Sequence, residues 1–411
     1  MDKGGPLIIR GLTTLSSIGI AADAPVETWE GAFKLRSAPV ESLRPDDPTR
    51  VFRLSNNAQR LIQDLRKDGS CHRLDRVALL GISAARLAIE RVRALGLDLE
   101  DIGCVSFGSS RGATETLESS FRLANSSSPI SALTSPVTTA GNISSSIAQD
   151  LLNRIATQSA LPSIACVNTS MTCSSAFHSL LVARSFILSS MAKAALFGGA
   201  EACLTPYTIA QLKALRIYSD DTGDWPCRAL GATEIKKNTV ALGEAAGAAV
   251  LLSRSSNFIV AADDLELSAI GWAMERIPSP TGITEDGAAF EKSMDSAVAA
   301  LDGDRRIVGV VMHAPGSQRG DEAELVAVRR VLGNIPVYST KHITGHSYGA
   351  APMLSLSLAS AILSGARWPG FPYQDQPKQT VDPIIQGGVI LVNSAGFGGN
   401  VISVAVSKPL N

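Results

Sequence analysis

Short apolar runs alternate with small-residue loops and longer apolar helical stretches along this chain, the pattern of strands interleaved with helices in an α/β protein. Ile102-Gly-Cys-Val-Ser-Phe-Gly108 reads as a buried strand running into a polar loop, residues 109–118, that opens a helix. Residues 307–312 (IVGVVM) repeat that grammar and lead into a second loop and acidic helix start, residues 313–324. Each half then has a loop-to-helix junction, residues 170–176 and 340–351, and closes on a Gly-rich strand end, residues 195–200 and 389–399. The apolar stretch at 177–191 predicts a buried helix. The pattern therefore predicts two similar halves, 1–254 and 255–411, meeting in a polar seam at 253–263. Residues 44–71, rich in charge, read as an excursion over the surface. Residues 126–142, rich in Ser, Thr, Pro and Gly, read as an extended loop of the length that serves function or an interface.

Composition narrows the function classes. Apolar residues make up 45% of the 411 positions, enough for a large core, while aromatics are only 5% and Gly numbers 35. A balance of 37 basic against 38 acidic residues leaves no basic tract for nucleic acid or an anionic membrane. The six cysteines (Cys71, Cys104, Cys166, Cys173, Cys203 and Cys227) form no C-x-x-C pair, so neither a zinc site nor a disulfide framework is indicated. A polar N-terminus unlike a signal peptide, and no apolar run near the ~20 residues of a membrane helix, lead to the expectation of a soluble, cytoplasmic protein with reduced thiols.

One of those thiols stands apart. Cys173 immediately precedes the long apolar helix, and a helix N-terminus favours the thiolate. A thiol there can take an acyl group as a nucleophile.

Later segments make that chemistry specific. Met171-Thr-Cys-Ser-Ser-Ala176 resembles the active-site turn of β-ketoacyl-acyl-carrier-protein synthases, T-A-C-S-S. His313-Ala-Pro-Gly-Ser-Gln-Arg-Gly-Asp321 resembles that family's H-G-T-G-T-x-x-G-D, and Lys341-His-Ile-Thr-Gly-His346-Ser-Tyr-Gly-Ala-Ala351 its K-x-x-x-G-H-x-x-G-A-A. Asn393-Ser-Ala-Gly-Phe-Gly-Gly-Asn400 resembles N-S-F-G-F-G-G-x-N, and Leu242-Gly-Glu-Ala-Ala-Gly247 is a fainter echo of G-E-G-A-G. The motifs follow the family's order and span nearly the whole chain. The resemblance implies the thiolase-like fold, a five-layered α-β-α-β-α sandwich of two duplicated halves, nearly always dimeric.

It also implies roles. Cys173 would hold the acyl chain, and His313 and His346 would stabilise the enolate formed when a malonyl unit on an acyl carrier protein loses carbon dioxide. Lys341 would lie beside His346. The backbone N–H groups of Cys173 and Phe397 would form an oxyanion hole, with Phe397 a gate flexed by Gly396, Gly398 and Gly399, and Ser317 would touch the pantetheine arm. No metal and no organic cofactor is implied. His72, His178 and His342 match no catalytic position, and Lys213, Arg216 and Arg319 are candidates for carrier docking.

The motifs depart from the family in places. Thr172 stands where Ala is usual, Pro315 and Ser317 replace two threonines, and Ala395 replaces the first phenylalanine of the gate loop. Ser355 stands where a glutamate normally pairs with the lysine, so Lys341 needs another partner or a shifted pKa. This drift suggests a specialised polyketide or polyene pathway rather than housekeeping fatty acid synthesis. The competing readings are a non-catalytic chain-length-factor-like subunit, in a heterodimer rather than a homodimer, and a thiolase or initiating synthase acting on coenzyme A thioesters.

Overall fold

The computed structural model describes residues 6–22, 25–126, 129–132, 134–138, 142–155, 163–232, 234–254, 259–277, 286–303, 305–374 and 387–410. Its strands, in chain order, are β1 (Leu7–Ser16), β2 (Gly19–Ala21), β3 (Glu41–Arg44), β4 (Asp47–Val51), β5 (Ile102–Gly108), β6 (Ala165–Thr169), β7 (Ala194–Glu201), β8 (Ala245–Ser253), β9 (Leu265–Met274), β10 (Arg306–Val311), β11 (Val337–Tyr338), β12 (Gly388–Gly396) and β13 (Asn400–Ser407).

Eleven of these form one ladder, ordered β11-β10-β12-β13-β9-β1-β8-β7-β5-β6, with β2 paired to β1. The order repeats itself. In the first half β6, β5 and β7 are parallel, followed by antiparallel β8 and β1. In the second, β11, β10 and β12 are parallel, followed by antiparallel β13 and β9. A short antiparallel contact, Ile8 with Glu266 and Ile9 with Leu265, joins the two.

The sheets are apolar on both faces because helices cover both. Helices Ser175–Leu188 and Ala351–Leu363 pack on each other and on the inner faces of β7 and β12. Helices Arg76–Ala94 and Asn142–Leu152 cover one outer face, and Ala288–Ala299, backed by Gln318–Leu332, covers the other. These layers make the thiolase-like α-β-α-β-α sandwich. Every residue of Ala351–Leu363 is buried, as a central layer requires. No described helix is long and apolar enough to cross a membrane.

Two expectations change. Residues 44–71 are not a mere surface excursion. They contain β4 and helix Asn56–Lys67, whose Ala58, Ile62 and Leu65 pack into the first-half core while charged residues occupy the other face. Residues 126–142 are not a continuous loop either, since Thr134–Thr138 forms a helical turn; positions 127, 128, 133 and 139–141 lie outside the described residues. Part of the proposed seam, 255–258, and the polar start of the chain, 1–5, also lie outside them.

Candidate active site

β6 ends in a short turn, Thr172–Ser174, that feeds helix Ser175–Leu188. Ser175 closes this turn: its Oγ accepts from the Met171 N–H at 2.9 Å and donates to the Thr172 carbonyl at 2.6 Å. Thr172 takes φ +48°, a left-handed conformation rare for a β-branched residue. The turn carries Cys173, only 5% exposed, to the wall of a cavity of about 430 Å³.

His346 meets it there. Its Nε2 lies 3.1 Å from Cys173 Sγ. The His313 ring stands nearly perpendicular to that of His346, with centroids 5.3 Å apart. Donor atoms of Cys173, His313 and His346 all lie within 4.8 Å of one another. Three side chains separated by up to 173 positions thus face a single point, at a spacing that a tetrahedral cation could also bridge.

Burial sets the protonation of this cluster. The Cys173 thiol is pushed up to about 12 by desolvation and then by the charge of Glu201, against the pull of Lys341 and of its own backbone N–H. This runs against the expectation of a readily ionised thiol, because loss of water around the buried sulfur disfavours its charged form. Desolvation lowers His346 to about 3 and holds His313 well below 6.5, with Lys341 adding to both effects. The resting pair is therefore a neutral thiol against a neutral imidazole.

Lys341 is 1% exposed and has no carboxylate within 4.0 Å among the described residues. Its ammonium instead donates to Thr340 Oγ1 and Ser355 Oγ, both at 3.3 Å. Ser355, at the family's glutamate position, thus remains the lysine's partner as a neutral hydroxyl. Desolvation lowers Lys341 to about 8, opposed chiefly by Glu324.

Glu324 is a functional residue that motif reading missed. Its carboxylate accepts the backbone N–H groups of His313 at 2.8 Å and Ala314 at 2.9 Å, and Asn393 Nδ2 at 3.1 Å. It fixes the loop that presents His313. Glu201, also fully buried, accepts from the N–H groups of Ser110, Arg111 and Gly349 and ties those two loops together. Burial raises both to about 7. A carboxylate closing an otherwise apolar strand end, as in Ala194–Glu201, was the available signal.

Residues 396–399 leave the end of β12, and Gly396, Phe397 and Gly399 line the same cavity. Phe397 is 37% exposed, and Gly398 and Gly399 take φ +96° and +78°. Ser394 Oγ donates to the Cys173 carbonyl at 3.2 Å, tying strand and turn together. Ser317, Pro315 and Arg319 line the cavity. Lys213 is engaged elsewhere, with Thr49.

Family comparison agrees with this geometry. Residues 63–257 match the "Beta-ketoacyl synthase, N-terminal domain" pattern and residues 266–371 the "Beta-ketoacyl synthase, C-terminal domain" pattern, together most of the chain. The chain belongs to the β-ketoacyl synthase family. It is 27% identical over 257 residues to the 3-oxoacyl-[acyl-carrier-protein] synthase 2 of Vibrio harveyi, covering 58% of this chain and 61% of that one. It is 29% identical over 211 residues to nodulation protein E of Rhizobium meliloti, covering 49% and 50%. The chain spans 46% to 61% of the length of the curated relatives it matches. Among solved structures, the ishigamide ketosynthase/chain length factor shares the fold at TM-score 0.81 and 19% identity, covering 99% of this chain and 100% of that one. A β-ketoacyl synthase from Burkholderia phymatum does so at 0.78 and 19%, with the same coverage.

The remaining histidines lie outside the cluster. His342 is buried among the rings of Trp225, Trp368, Phe371 and Tyr373. His178 Nδ1 contacts Ser174 Oγ at 3.2 Å, one turn along the helix, and His72 is exposed.

Proposed function

We propose that this chain is an elongating ketosynthase that joins a Cys173-bound acyl group to a malonyl unit carried by an acyl carrier protein. The observation carrying this reading is the 3.1 Å approach of His346 Nε2 to Cys173 Sγ, with His313 facing the same point. On arrival of an acyl thioester, the thiol passes its proton to His346 and attacks the carbonyl carbon, and the carrier thiol departs with that proton. Malonyl thioester then loses carbon dioxide, leaving an enolate whose oxygen receives hydrogen bonds from the two imidazoles. The enolate carbon attacks the Cys173 thioester, Cys173 leaves as thiolate and takes a proton from water to restore the thiol, and a 3-oxoacyl thioester forms. Backbone N–H groups of Cys173 and Phe397 hold the oxygen of the tetrahedral intermediate. Lys341, with no carboxylate within 4.0 Å among the described residues, adds positive charge that favours both anions. Ser317 touches the pantetheine arm at the cavity mouth.

The acting molecule is a dimer, of two copies or of one copy with a related subunit, working in the cytoplasm, with the chain divided near 254/255 into a half bearing the nucleophile and a half bearing the histidines. Loss of the gate-loop phenylalanine and of the lysine's glutamate favours specialised polyketide or polyene synthesis. A chain-length-factor role is the alternative, because structural neighbours carry that term in their titles. The intact Cys-His-His cluster weighs against it.

Mass spectrometry after incubation with acyl-carrier protein, in parallel with acyl-coenzyme A, tests the proposal. An adduct on Cys173 that malonyl-carrier protein converts to a 3-oxoacyl product supports it. No adduct from either donor would overturn it.

A further inference from the structure

Two hydrogen-bonded branches leave the flanks of Cys173 and converge on one atom, the carbonyl oxygen of Phe397. Thr172 Oγ1 donates to it directly at 3.3 Å, across 225 positions of sequence. Ser174 Oγ donates to Asn400 Oδ1, and Asn400 Nδ2 in turn donates to the Phe397 carbonyl at 3.2 Å. The fit is close. A side chain at Gly396 would overlap Thr172 Oγ1 and crowd the Met171 carbonyl, so Gly396 is what lets the threonine hydroxyl reach past it. Beyond the carbonyl the loop is lightly packed, with Phe397 more than one-third exposed and open space around Gly398. The loop is thus fastened at its carbonyl and partly exposed at its ring.

We propose that the Thr172 hydroxyl is a latch that holds the Phe397 loop closed over Cys173, making Thr172 the positioning residue that governs access to the sulfur. The proposal rests on the reading of Cys173 as the acyl-bearing nucleophile, and it adds a residue that this reading leaves without a role. Thr172 has one suitable group and one suitable acceptor: its left-handed backbone aims the hydroxyl at the loop rather than along its own turn. Losing that bond leaves the Asn400 bond intact, so the loop is released without being detached. A released loop admits bulky groups to the sulfur and admits water to the thioester once it has formed.

Thr172→Val keeps the shape and removes the hydroxyl, and Thr172→Ser keeps the hydroxyl. Amide hydrogen exchange of residues 396–400 and the ratio of Cys173 alkylation by a bulky maleimide to that by iodoacetamide are read in the full chain. The latch predicts that Thr172→Val raises both several-fold while Thr172→Ser stays near the parent; Thr172→Ala must behave as Thr172→Val if the valine variant folds poorly. An unchanged exchange rate and alkylation ratio in the valine and alanine variants overturns the latch. Equal effects of valine and serine overturn it too, because packing rather than the hydroxyl would then be responsible. Both readouts are independent of acyl transfer. If the parent chain takes no acyl group while the exchange pattern follows the hydroxyl, the proposed function falls and the latch stands.

Discussion

The ammonium of Lys341 lies 3.3 Å from the hydroxyl of Ser355, a neutral partner for a buried charge. The consequence is energetic. Desolvation lowers the lysine from 10.5 to about 8, which corresponds to about 3 kcal/mol spent on keeping it charged below that pH. An unfolded chain holds this proton to about pH 10.4, while the folded chain releases it near 8. Between those values the unfolded state binds more protons, so this group makes stability rise with pH. Lys341→Met should therefore raise the unfolding free energy at pH 7 by up to about 3 kcal/mol and flatten the rise between pH 8 and 10.5, while impairing condensation. Urea melts across that range measure it; a variant less stable at pH 7 would contradict the account.

The buried thiol makes a second prediction. With Cys173 pushed up to about 12, its alkylation by iodoacetamide should still be climbing above pH 10 rather than levelling off near the ~8.5 of a free thiol. Lys341→Met should slow alkylation below about pH 8, where the lysine's charge is one of the influences favouring the thiolate, and leave the curve above pH 10 unchanged. A plateau at or below pH 8.5 would mean that the helix end prevails over burial.

The two histidines should separate by step. His346 touches the sulfur and His313 does not, so His346→Ala should slow both acyl loading and decarboxylation. His313→Ala should load acyl groups but lower carbon dioxide release by roughly 10²–10⁴-fold. Cys173→Ala should abolish the acyl adduct. Adduct mass and released carbon dioxide, followed separately, distinguish the three.

Ala395 lines the cavity beside the gate loop. Ala395→Phe should fill part of that space and shift the kcat/KM preference toward slimmer or shorter acyl donors. A donor series of increasing length and branching reads this directly, and an unaltered preference would remove Ala395 from any part in specificity.

The positions that the fold gathers at the candidate site, Cys173, His313, Lys341, His346 and residues 396–399, were legible because each belongs to a short contiguous motif with fixed spacing. β5 was legible for a similar reason: a compact apolar run bounded by small polar residues has few other homes in an α/β chain. Glu201 and Glu324 were not, because an isolated carboxylate looks like surface charge until burial and the N–H groups facing it are known. Residues 44–71 misled through composition. The charge on one side of helix Asn56–Lys67 concealed the spacing of Ala58, Ile62 and Leu65 on the other.

The amino-acid order by itself determined the family, the duplicated α/β architecture and the identity of the three side chains that face one another. Tertiary structure alone decided their protonation, since desolvation depends on every group packed around a charge and not on its neighbours in the chain. It also decided that Ser355 stands in for a carboxylate and that Thr172 reaches Phe397. Such contacts join positions 14 and 225 residues apart, and their energies depend on distances of a few ångströms that only the folded chain defines.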